Sequence, residues 1–495
     1  MVTARTKSLI LVALVLGAFL LKAPFAITRV HLTPDAIGYL NIARNLSSGR
    51  GYVSTIKLHY VDNTGVRHGA LSDCPPLYPL VAGAILRCGG NLTTLTLVNT
   101  LLVCVASGLV FLIGARLFDW RAGLVAGLAA ALAPSLFRAG ITAMSDPLAL
   151  VLALGALLLV LRAQPGVMTW FAAGALAGLA MLTRHPCVVV ALALAAHAFW
   201  GPNGRRNGFA CIAGFLPALA FMVLALPSVQ GLHYAVRSFH SAMWNLDSPL
   251  DPWYCLHHPA LVGTALVHNA AFYAIDLFTG LRGLFLLSLG LLLWVLRTER
   301  TALTREHRLM IIVAGLNLMI YVATWSIPPV KGSRFMLLSY CLMLPFCAAG
   351  LVCAWDRWSR RGRPAVATVC AATAIVYVWG CVAAASYTAR DCQPLPHGPA
   401  KLITACLAPD SVIASNNPWV LSYSTGLPTA LLPRNLDQSA LRQFVERYDI
   451  GGVVMLGRCE GSQTAMAVSA SYRKTKLGPG IAIYDTTART RTKAD

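Results

Sequence analysis

The sequence predicts an α-helical membrane protein that crosses the bilayer many times and ends in a small C-terminal α/β domain. Of its 495 residues, 57% are hydrophobic and only 12% are charged, whereas soluble domains carry about 25% charged residues. The apolar residues form runs of about the length that crosses a hydrocarbon core of roughly 30 Å. Because backbone groups in lipid must be hydrogen-bonded within their own segment, we predict that these runs are helices.

We predict about eleven transmembrane helices between residues 8 and 385. They form the first of two predicted domains, residues 1–385. The predicted spans lie near residues 8–28, 92–114, 122–137, 146–161, 168–183, 187–200, 209–227, 279–296, 309–326, 335–354 and 365–385.

Basic residues predict the orientation of these spans. The net charge of +21 is spread over short clusters between apolar runs, and not gathered on one soluble face as nucleic-acid binding requires. We therefore predict no nucleic-acid partner. The positive-inside rule makes the clustered side cytoplasmic, so the N-terminus is inside and the loops 29–91 and 228–278 and the C-terminal tail are exported. The clusters are Arg5 and Lys7, Arg116 and Arg121, Arg162, Arg205 and Arg206, Arg297 to Arg308, and Arg357 to Arg363.

The second predicted domain, residues 386–495, has the pattern of a soluble α/β unit. The segments "SVIAS", "GGVVML" and "IAIYD" are typical of short buried strands. Between them, "NPWVLSYSTG" and "SALRQFVERYD" have helical spacing. No glycine-rich phosphate-binding loop follows any of these strands.

The first exported loop contains the most informative segment, "HLTPDAIGYLNIARNLSSGRGY". Pro34 can open a helix, and Asp35 then lies in its first turn, where the positive end of the helix dipole favours a carboxylate. Tyr39 lies one turn later on the same face, and Arg44 follows on the same short helix. Asp35 has two interpretations: it caps an interfacial helix, or it is an acid–base group at the membrane boundary.

Further charged residues are predicted at the exported ends of later spans. Asp146 begins span four, where it either caps the helix in front of Pro147 or is used or paired, since a buried acid in a membrane is expensive. Arg184 lies at the turn between spans five and six. Lys331 and Arg334 precede span ten, where cations are unusual in a short exported loop. They either bind an anionic ligand or extend toward lipid headgroups.

The middle loop combines aromatic residues with Asp247, Asp251 and the pair His257–His258. Such a combination fits a sugar-binding cleft, but tryptophan and tyrosine equally form the interfacial belt of membrane proteins. The histidines show no metal-ligand spacing with a second cluster. We therefore predict no metal and no other cofactor, while a divalent metal stays an open alternative.

The first-loop pattern resembles the GT-C superfamily of membrane glycosyltransferases. The residues "D-x-x-x-Y-L-x-x-A-R-N-L-x-x-G-x-G-Y" beginning at Asp35 are followed by "PPLYPL", "SDPL", "GLAMLTR" and "KGSRF" in the order that the superfamily shows them. The resemblance covers about residues 8–350. It is closest to the bacterial polyprenyl-phosphate-sugar enzymes related to protein O-mannosyltransferases and aminoarabinose transferase. Many members carry an Asp-Glu pair in the first loop, whereas Ala36 follows Asp35 in this chain.

This resemblance implies an inverting glycosyltransferase in the bacterial inner membrane. Its donor would be a sugar on a polyprenyl phosphate or diphosphate, and its acceptor a lipid, glycan or protein of the cell envelope. Asp35 would be the catalytic base, and Tyr39 and Asp146 would orient the substrate. The cations that bind the carrier phosphate would be Lys331 and Arg334, followed by Arg184 and Arg44.

Two other functions are compatible with a polytopic chain. A transporter or flippase of lipid-linked saccharides would also need many spans and cations near phosphate. Such proteins carry broken helices at corresponding places in two halves, and the sequence shows no such halves. A non-catalytic membrane scaffold would explain the exported tail but not the first-loop pattern.

Overall fold

The structure is a computed structural model that describes most of the chain. The described residues are 3–28, 32–57, 66–71, 74–162, 164–201, 203–225, 259–280, 303–324, 334–357, 363–386, 394–408, 410–433, 436–457, 463–478 and 481–486.

Helices dominate the described residues up to 386. The α-helices of this part are α1 (Ala4–Thr28), α2 (Pro34–Ser47), α3 (Leu77–Arg87), α4 (Leu92–Leu117), α5 (Trp120–Leu132), α6 (Pro134–Gly140), α7 (Asp146–Val160), α8 (Val167–Thr183), α9 (Val188–Phe199), α10 (Gly204–Ala225), α11 (Pro259–Gly280), α12 (Arg305–Thr324), α13 (Leu337–Arg357) and α14 (Arg363–Ser386).

The chain is a multi-pass membrane protein. Among the described residues, five helices are long and apolar enough to cross a bilayer: α1, α4, α10, α12 and α13. The pair α5 and α6, bent by 56°, raises the number to six if it forms one span. Helices α7, α8 and α9 have 15, 17 and 12 residues and are only about 18–26 Å long. The predicted number of about eleven spans therefore stays a prediction.

Proline explains the break between α5 and α6. The sequence predicts one span near residues 122–137, but the helix ends at Leu132 and restarts at Pro134. Ala133 between them has an extended backbone, with φ −64° and ψ 124°. The residue before a proline disfavours the helical conformation, so the bend follows from the local sequence.

A second difference concerns the predicted middle loop. Helix α11 lies almost wholly inside the segment 228–278 that the sequence predicts as a loop, and it has 22 residues. The remainder of that segment, with Asp247, Asp251, His257 and His258, lies outside the described residues. So does nearly all of the span predicted near 279–296.

The helices pack closely where glycines face a neighbouring backbone. A Cβ atom added at Gly174 of α8 would overlap the carbonyl of Cys211 in α10, and one at Gly214 would overlap the carbonyl of Phe171. Gly114 and Gly123 allow a similar approach of α4 and α5. The contact between α8 and α10 helps to position α8, which Arg184 follows directly.

The described residues after 394 form strands and helices around a six-stranded sheet. The strands of the protein are β1 (Val53–Ser54), β2 (Ile56–Lys57), β3 (Ala70–Leu71), β4 (Val412–Ser415), β5 (Thr429–Leu431), β6 (Ile450–Leu456), β7 (Arg473–Gly478) and β8 (Ile481–Asp485), and the helices after residue 394 are α15 (His397–Cys406), α16 (Pro418–Thr425), α17 (Gln438–Arg447) and α18 (Gln463–Ser471). The strand order of the six-stranded sheet is β2-β5-β4-β6-β8-β7. Strands β2, β5, β4 and β6 run parallel, whereas β8 is antiparallel to both of its neighbours, β6 and β7. A separate two-stranded sheet pairs β1 with β3.

The strands and helices expected from "SVIAS", "GGVVML", "IAIYD", "NPWVLSYSTG" and "SALRQFVERYD" are present, but one edge strand of this sheet comes from the first loop. Ile56 and Lys57 of β2 lie opposite Thr429 and Ala430 of β5. The backbone N–H of Thr429 donates a hydrogen bond of 2.9 Å to the carbonyl of Thr55. The sequence assigns the first loop to residues 1–385 and the sheet to residues 386–495, and this division stays a prediction.

Candidate active site

Helix α2 presents Asp35 at the start of its first turn. The cap of this helix is Thr33, whose hydroxyl accepts a hydrogen bond of 3.1 Å from the backbone N–H of Ala36. Pro34 follows at the first helical position, where its missing N–H costs nothing. Since Thr33 supplies the cap, the Asp35 carboxylate is available for another partner.

One partner of this carboxylate is Arg334, which lies just before α13. Its Nη2 donates to Oδ2 of Asp35 and forms an ion pair with it. The side chain of Asp35 is 49% exposed and that of Arg334 is 24% exposed. Burial alone would lower the pKa of Arg334, but the carboxylates of Asp35 and Asp146 raise it above its usual value. The guanidinium therefore stays charged.

A second ion pair lies beside the first and is more deeply buried. Asp146 is the first residue of α7, and Arg184 follows the last residue of α8. Nη1 of Arg184 donates to Oδ1 of Asp146. The side chain of Asp146 is only 4% exposed, and that of Arg184 is 15% exposed. The N-cap position of α7 belongs to Ser145, so Asp146 is a paired acid inside the helix and not its cap.

The Phe335 ring contacts both guanidinium groups. The Cζ atom of Arg334 is 4.6 Å from the centre of the Phe335 ring, and that of Arg184 is 5.2 Å from it. Such cation–π contacts hold guanidinium groups over a ring face. The two acids and two arginines therefore form one cluster, which we call the charged cluster: Asp35, Asp146, Arg184 and Arg334.

A buried hydrogen-bond network lies next to the charged cluster. Ser145 donates from its hydroxyl to the Tyr39 hydroxyl over 3.0 Å, and the rings of Tyr39 and Tyr78 meet edge to face at 5.3 Å. Asn99 of α4 contacts the Tyr78 hydroxyl at 3.1 Å and the carbonyls of Thr142 and Met144 at 2.6 and 2.9 Å. These bonds position the segment that leads into Asp146.

Tyr39 acts here as part of this buried network. Its side chain is 9% exposed, and burial, more than the nearby charges, raises its pKa above the ordinary value. The hydroxyl therefore stays protonated at neutral pH. Tyr78 and Asn99 were not among the predicted site residues. Tyr78 belongs to the quoted "PPLYPL" motif, whereas Asn99 has no signal in the sequence beyond being polar within a span.

Arg44, one of the predicted cations, lies elsewhere in the structure. Arg44 is exposed on α2, with its Cζ 4.7 Å from the centre of the Tyr423 ring in α16. The structure thus places Arg44 against the C-terminal segment and not in the charged cluster. Lys331 lies outside the described residues, and its predicted role stays a prediction.

A metal ion would need several ligands close together. Within the described ranges, no group of three or more histidine, cysteine, aspartate or glutamate side chains could hold one. The prediction that no metal is required remains untested.

The chain is similar to known membrane enzymes both by sequence pattern and by structure. The family profile of dolichyl-phosphate-mannose-protein mannosyltransferase matches residues 73–230. A search of curated protein sequences finds no match. Among solved structures, ArnT from Cupriavidus metallidurans bound to undecaprenyl phosphate is 14% identical, with 97% of this chain and 98% of that chain covered and a TM-score of 0.59.

The fold of this chain is that of the GT-C membrane glycosyltransferases. Two more structures with this fold agree. The archaeal oligosaccharyltransferase AglB from Archaeoglobus fulgidus, in complex with an inhibitory peptide and a dolichol-phosphate, is 12% identical over 89% of this chain and 69% of that one, with a TM-score of 0.58. The mycobacterial arabinofuranosyltransferase AftD is 12% identical over 95% and 39%, with a TM-score of 0.51. The resemblance found in the first-loop pattern is thereby confirmed for the fold.

Proposed function

We propose that this chain is a glycosyltransferase that moves a sugar from a polyprenyl-phosphate or diphosphate carrier to an acceptor hydroxyl or amine at the outer face of the bacterial inner membrane. The observation that carries this proposal is the charged cluster, which brings two carboxylates and two arginines together in a GT-C fold. Two solved structures with this fold hold undecaprenyl phosphate or a dolichol-phosphate, which supports a carrier of that class.

The proposed reaction divides the cluster into a base and a phosphate-binding part. The acceptor oxygen or nitrogen attacks the anomeric carbon, and its proton passes to the carboxylate of Asp35. The bond between the anomeric carbon and the carrier phosphate oxygen breaks, and the phosphate leaves with the electron pair. Attack from the face opposite the phosphate inverts the anomeric centre.

The arginines would bind the departing phosphate. Preorganised cations stabilise the charge that develops on a leaving group without reorganising during the reaction. Arg184 is held by Asp146, and both guanidinium groups contact Phe335, so their positions are fixed before the carrier binds. Asp146 therefore acts as a positioning residue in this proposal.

The test is a transfer assay with Asp35→Asn. Purified protein in bilayer discs is supplied with a panel of radiolabelled polyprenyl-phosphate sugars and cell-envelope acceptors. We expect transfer by the unaltered chain and a fall of about 10²-fold or more in the variant, because a general base contributes about 10²–10⁴-fold. The control Asp410→Asn removes one exposed acid far from the cluster in sequence and should retain activity.

Each alternative has its own outcome in this assay. Unchanged transfer by Asp35→Asn would show that the carboxylate is not the base. If label in sealed vesicles changes leaflet but never leaves its carrier, the protein is a transporter of lipid-linked saccharides and not a transferase.

A further inference from the structure

We propose that the Asp35–Arg334 ion pair is a lock on the catalytic base, and that the carrier phosphate opens it by taking over Arg334. This inference rests on the proposed function and adds an order of binding to it. The donor lipid binds first, and only then does the Asp35 carboxylate lose its hydrogen bond from Arg334 and accept the proton of the acceptor.

The hydrogen bonds of Arg334 leave room for a phosphate. A guanidinium has five N–H donors. Within the described part of the chain, Nη2 of Arg334 donates to Asp35, Nη1 reaches only the sulfur of Met144 at 3.5 Å, and the buried Nε has no partner. Thioether sulfur is a weak acceptor. Arg334 therefore holds one oxygen where it could hold two or more, and phosphate oxygens match this donor set in charge and geometry.

The same pair restrains the base. A carboxylate oxygen that accepts a charge-assisted hydrogen bond is a poorer proton acceptor than a free one. In the structure one oxygen of Asp35, Oδ2, accepts a hydrogen bond from Nη2 of Arg334. A carrier phosphate bearing one to two negative charges competes with this single carboxylate for the same donors. When the phosphate wins, the charge-assisted hydrogen bond from Arg334 to Asp35 is lost at the moment when the anomeric carbon is in place, and the carboxylate becomes a better proton acceptor.

Comparison with the neighbouring ion pair explains why Arg334, and not Arg184, is expected to exchange its carboxylate for the phosphate. Asp146 and Arg184 are 4% and 15% exposed, whereas Asp35 and Arg334 are 49% and 24% exposed. Separating a buried pair leaves an uncompensated charge in a medium of low dielectric constant, whereas water can solvate a carboxylate that is half exposed. The ion pair between Asp35 and Arg334 can therefore separate, whereas the pair between Asp146 and Arg184 stays intact.

The experiment measures the affinity of undecaprenyl phosphate for the purified protein in bilayer discs, at one pH near 7. The variants are Asp35→Asn, Arg334→Gln and the combination of both. If the arginine is free in only about 10–30% of molecules without bound lipid, removing Asp35 tightens binding by about three- to tenfold, although it lowers transfer by about 10²-fold or more. Arg334→Gln should weaken binding, and adding Asp35→Asn to it should change nothing further.

The combined variant separates a lock from simple charge repulsion. If Asp35→Asn tightens binding equally with and without Arg334, the carboxylate merely repels the phosphate, and the lock is wrong. Arg334→Lys replaces Arg334→Gln if the latter does not fold, and Asp410→Asn is the control for the loss of one negative charge.

Two further outcomes overturn different statements. Binding that Asp35→Asn leaves unchanged or weakens would overturn the lock and leave the proposed function standing. The absence of undecaprenyl phosphate binding in the unaltered chain and in every variant would overturn the proposed carrier class together with the lock.

Discussion

Arg184 is the more firmly held of the two arginines in the charged cluster. Its partner Asp146 is almost fully buried, and one oxygen of that carboxylate, Oδ2, has no hydrogen-bond partner among the described residues. Each charge of this pair is therefore stabilised mainly by the other. Replacing one member leaves the second in a poorly solvated position, which costs more than the pair itself contributes.

We therefore expect Asp146→Asn to destabilise the protein by about 3–5 kcal/mol, the usual cost of leaving one member of a buried pair. Adding Arg184→Gln should recover a large part of this loss, since the uncompensated cation is then removed. Thermal unfolding of the purified proteins in a mild detergent measures both the loss in the single variant and its recovery in the double variant. Losses that simply add in the double variant would contradict a direct pair.

His185 adds a dependence on pH to this part of the molecule. Burial, and then the Arg184 guanidinium, lower its pKa to about 4, against about 6.5 for an unperturbed histidine. The imidazole is therefore neutral in the folded protein at pH 7, and the unfolded chain takes up the proton first as the pH falls. Stability is then lost between about pH 6.5 and 4, by at most about 1.4 kcal/mol per pH unit.

His185→Gln should reduce this loss. The measurement is the melting temperature of both proteins at pH 7.5, 6, 5 and 4. The two proteins are expected to diverge below about pH 6.5, with the variant less sensitive to acid. Parallel curves over the whole range would show that His185 titrates alike in the folded and unfolded chains.

At the scale of elements, the contact between α8 and α10 fixes the end of α8 that carries Arg184. Gly174 faces the carbonyl of Cys211, and Gly214 faces the carbonyl of Phe171. No side chain fits between these backbones. The position of Arg184 thus depends on Gly174, ten positions earlier in the chain, and on Gly214 of the neighbouring helix.

We expect Gly174→Ala to lower stability by about 1–3 kcal/mol, because the added methyl group forces the two helices apart. Transfer activity should fall as well, since α8 carries Arg184. The matched control is Gly155→Ala in α7, where the nearest atom to a new Cβ is Leu176 Cδ1 at 3.7 Å. That change should be neutral or stabilising, because alanine is favoured over glycine in helices by about 1 kcal/mol. Equal effects of both substitutions would contradict the close packing.

The elements also show what the sequence could predict. Hydropathy locates most helices, because burial in lipid imposes long apolar runs. Hydropathy could not predict that Pro134 splits one run into α5 and α6 bent by 56°, or that β2, a strand of two residues, joins a sheet far along the chain. A strand so short has no pattern of its own, and only its partner defines it.

The candidate site, too, could be predicted from the sequence only in part. Asp35, Asp146, Arg184 and Arg334 could be chosen because charges at the ends of apolar runs are rare and costly, and the structure brings these four together. Their catalytic roles stay predictions. Arg44 was placed with them because it shares a helix with Asp35, but one helix has several faces, and Arg44 contacts Tyr423 instead. Asn99 could not be distinguished from an ordinary buried polar residue.

At the scale of the whole molecule, the predicted orientation can be tested with thiols. Cys406 is free and exposed on α15, in the part predicted to be exported. Arg206 is exposed at the start of α10, on the side predicted to be cytoplasmic. In intact spheroplasts, an impermeant maleimide should label Cys406, whereas a cysteine introduced by Arg206→Cys should react only after permeabilisation. The opposite pattern, read by mass spectrometry of the labelled peptides, would reverse the orientation.

The first loop and the C-terminal segment are joined by more than strand pairing. Asn41 of α2 donates from its amide to the hydroxyls of Thr55 and Ser422 at 2.7 and 3.2 Å. Arg67 pairs with Asp449 at 2.6 Å on the surface. Helix α2, which carries Asp35, is therefore held on one side by the helix bundle and on the other by residues near the end of the chain.

This junction has a consequence for the biogenesis of the protein. Strand β2 is synthesised early, but its partner β5 follows roughly 370 residues later, which at 5–20 residues per second takes about 20–70 s of translation. During that interval the later membrane helices are synthesised while the first loop waits without its strand partner. A chain interrupted before β5 would insert its helices yet never complete the sheet edge beside Asp35, so assembly of the reactive end is coupled to synthesis of nearly the whole polypeptide.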